Sequence, residues 1–196
     1  YGNNIEINKF GGRFKYSKLS TLIDRVDNGI TSNITKVIIR RDLKASLNQF
    51  AQYELCFGNQ FFINPAGYNI KSTGFTISGS SQVAYLTDVP NKDAAGNLDG
   101  SMKGTIGVVY KNEKNEQTVL VKEAGIVDYK KGEVILNTIN FSSTTSQNNI
   151  IEIQAFPESN DIVGLKDLYL NFAVSKSTIN TVKDVIASGE DVSGII

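Results

Sequence analysis

The sequence has 196 residues, of which 40% are hydrophobic and 20% charged, enough apolar surface for one sizeable core or two small ones. Histidine is absent and Cys56 is the only cysteine, so His- or Cys-dependent catalysis, structural zinc and internal disulfides are excluded. The net charge is zero, but residues 1–50 carry +5 (nine Lys/Arg, four Asp/Glu) and residues 111–196 carry −4 (eight against twelve).

This charge distribution bears on partners. A pI of about 6.5 argues against a nucleic-acid partner, and no apolar run reaches the ~20 residues that span a bilayer, so neither partner is expected. A basic end and an acidic end favour head-to-tail or antiparallel association, although solvated faces without a partner give the same pattern. Since Met102 is the only methionine and Tyr1 comes first, we expect a fragment of a longer polypeptide.

The first elements are a strand, a turn and a helix. Ile5 and Ile7 alternate with polar residues in a strand over Asn4 to Lys9, which Gly11-Gly12 closes. Apolar residues at helical spacing predict a helix between Ser17 and Asn28, with Ser17 as N-cap and a core face that includes Leu19, Leu22, Ile23 and Val26.

Short β-branched or alternating runs then predict strands. They cover Ile34 to Arg41, Gln49 to Phe57, Gly74 to Ser78 and Gln82 to Asp88, and they place Cys56 in an ordinary strand. Asn91 to Lys103 has almost no apolar content and predicts a long, mobile surface loop.

The second half predicts a β-meander. Two hairpins turn at Lys111 to Glu116 and at Lys130-Lys131-Gly132, with strands at 105–110, 117–122, 125–129 and 133–140. A polar loop at 142–149, a strand from Ile150 to Phe156 and an alternating strand from Asp167 to Val174 follow. Ile179, Val182, Val185 and Ile186 favour a helix over Ser177 to Ser188, although a strand also fits their β-branched side chains.

Together these elements predict an α+β fold that is mainly antiparallel β, with one amphipathic N-terminal helix and a C-terminal helix or strand. The expected domains are an α+β subdomain at 1–90, a surface loop at 91–103 and a β-meander subdomain at 104–196.

Catalytic and ligand motifs are weak. GFTISGSS (74–81) has Ser80 where a phosphate loop needs lysine, and DRVDNG (24–29) lacks the ligands of a calcium loop. Oxygen atoms in the 91–103 loop could bind a hard cation, but such loops are mostly soluble turns. The remaining candidates for acid catalysis lie beside turns or strand ends, so we expect no enzyme and no cofactor: Asp128, Glu133, Glu152 and Glu158.

One stretch resembles a known family. NNIEINKFGGRFKYSKLSTLIDRVDNGITSNITKVIIRR (Asn3 to Arg41) resembles the C-terminal region of baseplate J-like wedge proteins of T-even-type contractile-tail bacteriophages. AGIVDYKKGEVIL (124–136) and IIEIQAFP (150–157) resemble the β-rich continuation of those proteins.

The resemblance implies a structural subunit of the tail baseplate in the virion, assembled in the host cytoplasm. Such a subunit dimerises within a wedge, joins neighbouring wedges into a ring with other wedge proteins, and changes its packing when the sheath contracts. A carbohydrate-binding adhesin or tail-fibre module is the alternative. Charged residues at the strands and hairpin turns are the predicted protein interface: Arg40, Arg41, Lys111, Glu113, Lys130 and Lys131.

Overall fold

The computed structural model describes residues 7–183, in which antiparallel strands dominate and one short α-helix lies near the N-terminus. In chain order the elements are β1 (Arg13–Phe14), α1 (Tyr16–Asp24), β2 (Ile39–Lys44), β3 (Phe50–Cys56), β4 (Lys71–Ser72), β5 (Phe75–Ile77), β6 (Ala84–Pro90), β7 (Lys103–Lys111), β8 (Gln117–Asp128), β9 (Glu133–Thr144), β10 (Ile150–Ala155) and β11 (Ile162–Val163).

Five strands close into a small barrel. Hairpin neighbours pair in the order β6–β7–β8–β9, and β5 bonds to both β9 and β6, which completes the ring. Phe75 stands at the closure, opposite Thr144 on β9 and Ala84 on β6, and its side chain is fully buried. Closure leaves these strands with few unpaired edges.

The remaining strands extend the sheet from the barrel. β4 pairs with β6 beside β5, β10 pairs with β4, and β2 forms an outer edge on β10. β3 runs along β9 on the other side. Strands from both sides of the 91–103 loop therefore pair with each other and share one core.

The barrel core is apolar and closely packed. Phe75 and Phe141 meet edge to face at 5.0 Å between ring centroids, and Phe57 and Phe61 do so at 5.1 Å. The alternation of side chains along the strands explains why these positions face inward. Other fully buried side chains are Ile70, Ile106, Val108, Val134, Leu136, Ile151 and Ile153.

A buried carboxyl group connects three segments around the barrel. Asp88 on β6 accepts a hydrogen bond from the Ile70 amide at 2.6 Å and from the Tyr129 hydroxyl, just after β8, at 2.7 Å. Burial raises the pKa of Asp88 above its usual value, and burial together with the Asp88 charge raises the pKa of Tyr129. The polar pair thereby holds the 61–70 segment and the β8–β9 turn against β6.

Two asparagine side chains fix the loops next to the barrel. Asn69 donates to the Phe62 and Phe156 carbonyls and accepts from the Phe156 amide. The Asn59 side chain donates to the Val163 carbonyl and accepts from the Val163 amide. A side chain thus satisfies the backbone groups that a neighbouring strand would otherwise bond. Gly132 comes so close to the Asn59 carbonyl that a side chain at this position would overlap it.

A smaller unit lies at the N-terminus. β1 pairs with β11, and the buried side chains of Ile7, Phe14 and Ile162 form a second cluster. Phe10 forms an isolated antiparallel β-bridge with Tyr169, and their ring centroids lie 6.3 Å apart in an edge-to-face arrangement. The chain after β11 thus returns to the N-terminal residues.

The N-terminal helix is confirmed, and Leu19 and Ile23 of its predicted core face are half-buried, but its bounds, its N-cap and the rest of that face are wrong. It covers Tyr16–Asp24 rather than Ser17 to Asn28, and Ser17 is not its N-cap. Lys15 occupies that position and makes no side-chain capping bond, because its ammonium group cannot accept a hydrogen bond; the distant Asp161 carboxylate accepts the Tyr16 amide instead. No helix side chain is buried, and Leu22 and Val26, predicted to face the core, are exposed.

Other boundaries also differ. The strand expected from Ile34 starts only at Ile39, and the expected strands 117–122 and 125–129 are one continuous β8. The strand from Asp167 to Val174 is wrong, since no described strand runs beside it and Leu168 closes a turn on Leu165. The part of the predicted C-terminal helix up to residue 183 is not helical, and Val185 and Ile186 lie outside the described residues.

Several predictions are confirmed. β3, β5 and β10 lie within or close to their predicted ranges, and both hairpin turns of the meander are present. The 91–102 segment is exposed throughout, apart from partial burial of Met102. The 142–149 loop is shorter than predicted, because β9 continues to Thr144.

Replacing Asp88 tests the buried bond. Asp88→Ala leaves the Tyr129 hydroxyl and the Ile70 amide buried without a partner, so the free energy of unfolding should fall by about 2–4 kcal/mol. Asp88→Asn keeps an acceptor for the Ile70 amide, so its free energy of unfolding should fall by less. Urea denaturation of both variants measures the difference, and equal losses would contradict this role.

The same pair predicts a pH dependence. Because the pKa of folded Asp88 lies above the usual 3.8, the native protein holds this proton more tightly than the unfolded chain. Lowering the pH towards 3.8 should therefore stabilise the wild type relative to Asp88→Asn, and this advantage is lost as the pH rises through the pKa of folded Asp88. A pH series of urea midpoints for the two proteins checks the sign.

Candidate interaction surfaces

Arg40 lies in a charged cluster on β2 and β10. Asp42 and Glu152 stand directly opposite each other in the strand register, so two like charges face each other. The Arg40 guanidinium joins them, with Nε 3.0 Å from Asp42 Oδ1 and a terminal nitrogen 3.2 Å from Glu152 Oε2. Lys176 adds a second cation, 3.2 Å from the same Glu152 carboxylate. Arg40 thus has partners within its own chain.

Arg41 lies on the same strand but on the opposite face. Its register partner is Ile153, and the residue is half-buried where Arg40 is exposed. Successive side chains of a strand point to opposite faces, so the two arginines cannot form a single basic surface.

The hairpin charges lie at opposite ends of β8. Lys111 and Glu113 flank the β7–β8 turn, where Asn112 accepts hydrogen bonds from the Lys114 and Glu116 amides. Lys130 and Lys131 are in the β8–β9 turn, and Lys131 is 3.9 Å from Glu133. The six predicted interface residues therefore occupy separate places: the β2–β10 sheet and the two ends of the barrel hairpins.

An apolar surface on the outside of the barrel was not predicted. We call it the outer apolar patch and define it by four exposed side chains of β6 and β8: Tyr85, Val89, Val119 and Ile126. The four residues lie in two cross-strand rows, Val89–Thr105–Ile126 and Tyr85–Val109–Val119, in which the middle residue on β7 is half-buried Thr105 or buried Val109. Val119 is 60% and Ile126 53% exposed, which is high for large apolar side chains on strands.

The sequence held a signal for this patch. Val119 and Ile126 occupy strand positions where a half-buried strand usually places polar residues on the solvent face. Both faces of these strands carry apolar side chains, and the sequence does not say which face points outward. The closed barrel decides this, because Leu86 and Val108 pair with each other on its inside.

A basic concavity lies at the start of the N-terminal helix. It has a volume of about 390 Å³ and is lined by Lys9, Gly11, Arg13, Lys15 and Lys18. Clustered cations on a concave surface concentrate positive potential and attract anionic groups. The exposed Phe10–Tyr169 ring pair lies next to it in the chain, beside Gly11. This region accounts for much of the positive charge seen in residues 1–50.

The candidate acids have ordinary surroundings. Asp128 and Glu133 face each other across the β8–β9 hairpin, and Asp128 accepts the Lys131 amide at 2.9 Å. Asp93 caps its loop by accepting the Ala95 and Asn97 amides, both at 2.9 Å. Among residues 7–183, no group of three or more Asp, Glu or Cys side chains is arranged to hold a metal ion.

A membrane-spanning helix is not found in the part of the chain that the structure describes.

Comparison with known proteins gives one family match. Residues 1–42 match the family model of baseplate structural protein gp6, C-terminal domain III. No curated protein sequence matches the chain. The matched segment contains the residues of the basic concavity, β1, α1 and the first four residues of β2.

The match supports the coarser part of the resemblance. Over these residues the chain is similar to a structural protein of a phage baseplate, which supports a role in the baseplate of a virion. The match also points to a structural rather than an enzymatic role. Assignment to the baseplate J-like family stays a prediction.

Threonine substitutions test whether the outer apolar patch contributes less to the free energy of unfolding than the core does. Val119→Thr should change the free energy of unfolding by less than about 0.5 kcal/mol, because Val119 is largely exposed. Val108→Thr, the same substitution one register step away inside the barrel, buries a hydroxyl group and should cost about 1–3 kcal/mol. Urea denaturation compares them, and a similar loss at Val119 would show that this residue supports the fold.

Proposed function

We propose that this chain is a structural subunit of a phage tail baseplate wedge, which dimerises, links neighbouring wedges into a ring during tail assembly and rearranges when the sheath contracts. The family match over residues 1–42 carries the proposal. The barrel adds support, because a closed and densely packed core suits a part that transmits force.

Two kinds of surface would serve such a subunit. The outer apolar patch offers uncovered apolar area of the type that protein interfaces bury. The basic concavity and the charged residues Arg40, Arg41, Lys111, Glu113, Lys130 and Lys131 would orient the partners, since complementary potentials mainly set specificity and association rate. Their distribution over separate places fits a subunit with several neighbours rather than one.

Self-association is the first test. Sedimentation velocity of the chain over a range of concentrations should show a dimer. A double variant, Val119→Lys with Ile126→Lys, places two charges in the outer apolar patch and should raise the dimer dissociation constant at least about tenfold. Ile34→Lys serves as the matched control, because Ile34 is also exposed but lies outside the patch.

A chain that stays monomeric at all concentrations would contradict dimerisation. If the patch variant dimerises as strongly as the wild type, the chain is still a dimer, but its interface lies on another surface.

Charge reversal tests the electrostatic contribution. Arg40→Glu with Arg41→Glu should slow the association of the chain with its tail neighbours and change the salt dependence of that rate. Stopped-flow measurements at two ionic strengths check this. Unchanged rates would count against the role of these arginines.

The carbohydrate-binding alternative has one observation in its favour. Exposed aromatic rings beside a concavity, here Phe10 and Tyr169 near Gly11, are typical of sugar-binding surfaces. Glycan-array binding by a monomeric chain, lost in Tyr169→Ala, would favour this alternative over the baseplate role.

A further inference from the structure

The described chain ends in a segment that touches the sheet at Lys176 without becoming part of it. After β11 the chain returns to Phe10 through Tyr169 and then makes a 3-10 turn at Val174–Lys176. We call residues 172–183 the C-terminal strap. Every one of them is exposed.

Apolar packing anchors the start of the strap, where Phe172 is 38% exposed, and contributes little beyond it. Val174 is 71% exposed, and Ile179 and Val182 are both 89% exposed. The backbone hydrogen bonds are local, from the Lys176 amide to Ala173 and from the Ser177 amide to Val174. Neither bond reaches the sheet, so the strap lacks the burial that fixes the strands.

One ion pair connects the strap to the sheet. Lys176 Nζ lies 3.2 Å from both oxygens of the Glu152 carboxylate on β10. Among the described strap residues, this is the single hydrogen-bonded or ionic contact with the sheet. The Lys176 side chain remains 58% exposed, so water and salt ions screen the pair.

Glu152 keeps a partner when Lys176 leaves. The Arg40 guanidinium is 3.2 Å from Glu152 Oε2 and also binds Asp42. Opening the Lys176 contact therefore leaves no isolated buried charge, which would be the main obstacle to separating the two groups. The β2–β10 pairing does not depend on the strap.

We propose that residues 172–183 form a detachable strap, held by the Lys176–Glu152 latch, which opens while the sheet stays folded. Lys176 then moves with the strap away from Glu152 on β10. Detachment follows from these contacts alone. Its use in the rearrangement of a baseplate rests on the proposed function, because a subunit that changes neighbours needs a segment that can move without unfolding its core.

Amide hydrogen exchange of the whole chain tests the latch. At low salt, Lys176→Gln should speed exchange at the Lys176 position and Ser177 about two- to fivefold, the range expected for losing an exposed ion pair. Raising the salt to about 0.5 M should bring the wild type close to the variant, because that concentration screens surface pairs. Amides of β10 should not change.

Two further variants sharpen the result. Glu152→Gln removes the latch from the sheet side and should also speed exchange in the strap. Lys183→Gln removes a positive charge from the strap outside the latch and should have no effect. Equal exchange in wild type and Lys176→Gln would overturn the proposal, and so would parallel acceleration in β10, because the strap would then open only with the sheet. Neither outcome affects the baseplate role, which the oligomeric state tests.

Discussion

The buried Asp88 carboxyl is the constraint on which the barrel depends. It holds the Ile70 amide and the Tyr129 hydroxyl at hydrogen-bond distance inside a mostly apolar interior. A carboxyl group in this position is unfavourable by itself, as its raised pKa shows. Its partners offset that cost only when β6, the 61–70 segment and the end of β8 are all in place, so the pair favours one arrangement of these segments.

Around this core, the outer parts of the molecule are held much less firmly. The N-terminal helix buries no side chain, the strap rests on an exposed ion pair, and the outer apolar patch has no cover. A firm barrel with weakly held surroundings suits a subunit whose contacts are made by neighbours. The N-terminal segment, which contains the basic concavity, is also the part that matches a baseplate structural protein.

Sequence patterns predicted the barrel hairpins well because their signals are local. Lys130-Lys131-Gly132 gives a turn from residue types alone, and Gly132 has the positive φ that glycine favours. The helix start was missed because Asp161, far away in the chain, replaces the expected Ser17 cap. Alternation predicted an inward-facing strand at Leu168, Leu170 and Phe172, but the two leucines are only half-buried, Phe172 is exposed and no strand forms, since a strand needs a neighbour that the pattern does not reveal.

The sequence by itself determined the β-rich class, the order of most strands, the absence of histidine and of a second cysteine, and the resemblance that the match over residues 1–42 supports in its baseplate part. Only the tertiary structure decided which residues share a surface. Arg40 and Arg41 are neighbours in sequence yet lie on opposite faces, whereas Arg40, Glu152 and Lys176 meet from distant parts of the chain. Strand pairing and barrel closure bring such residues together, and neither is encoded within a short stretch of sequence.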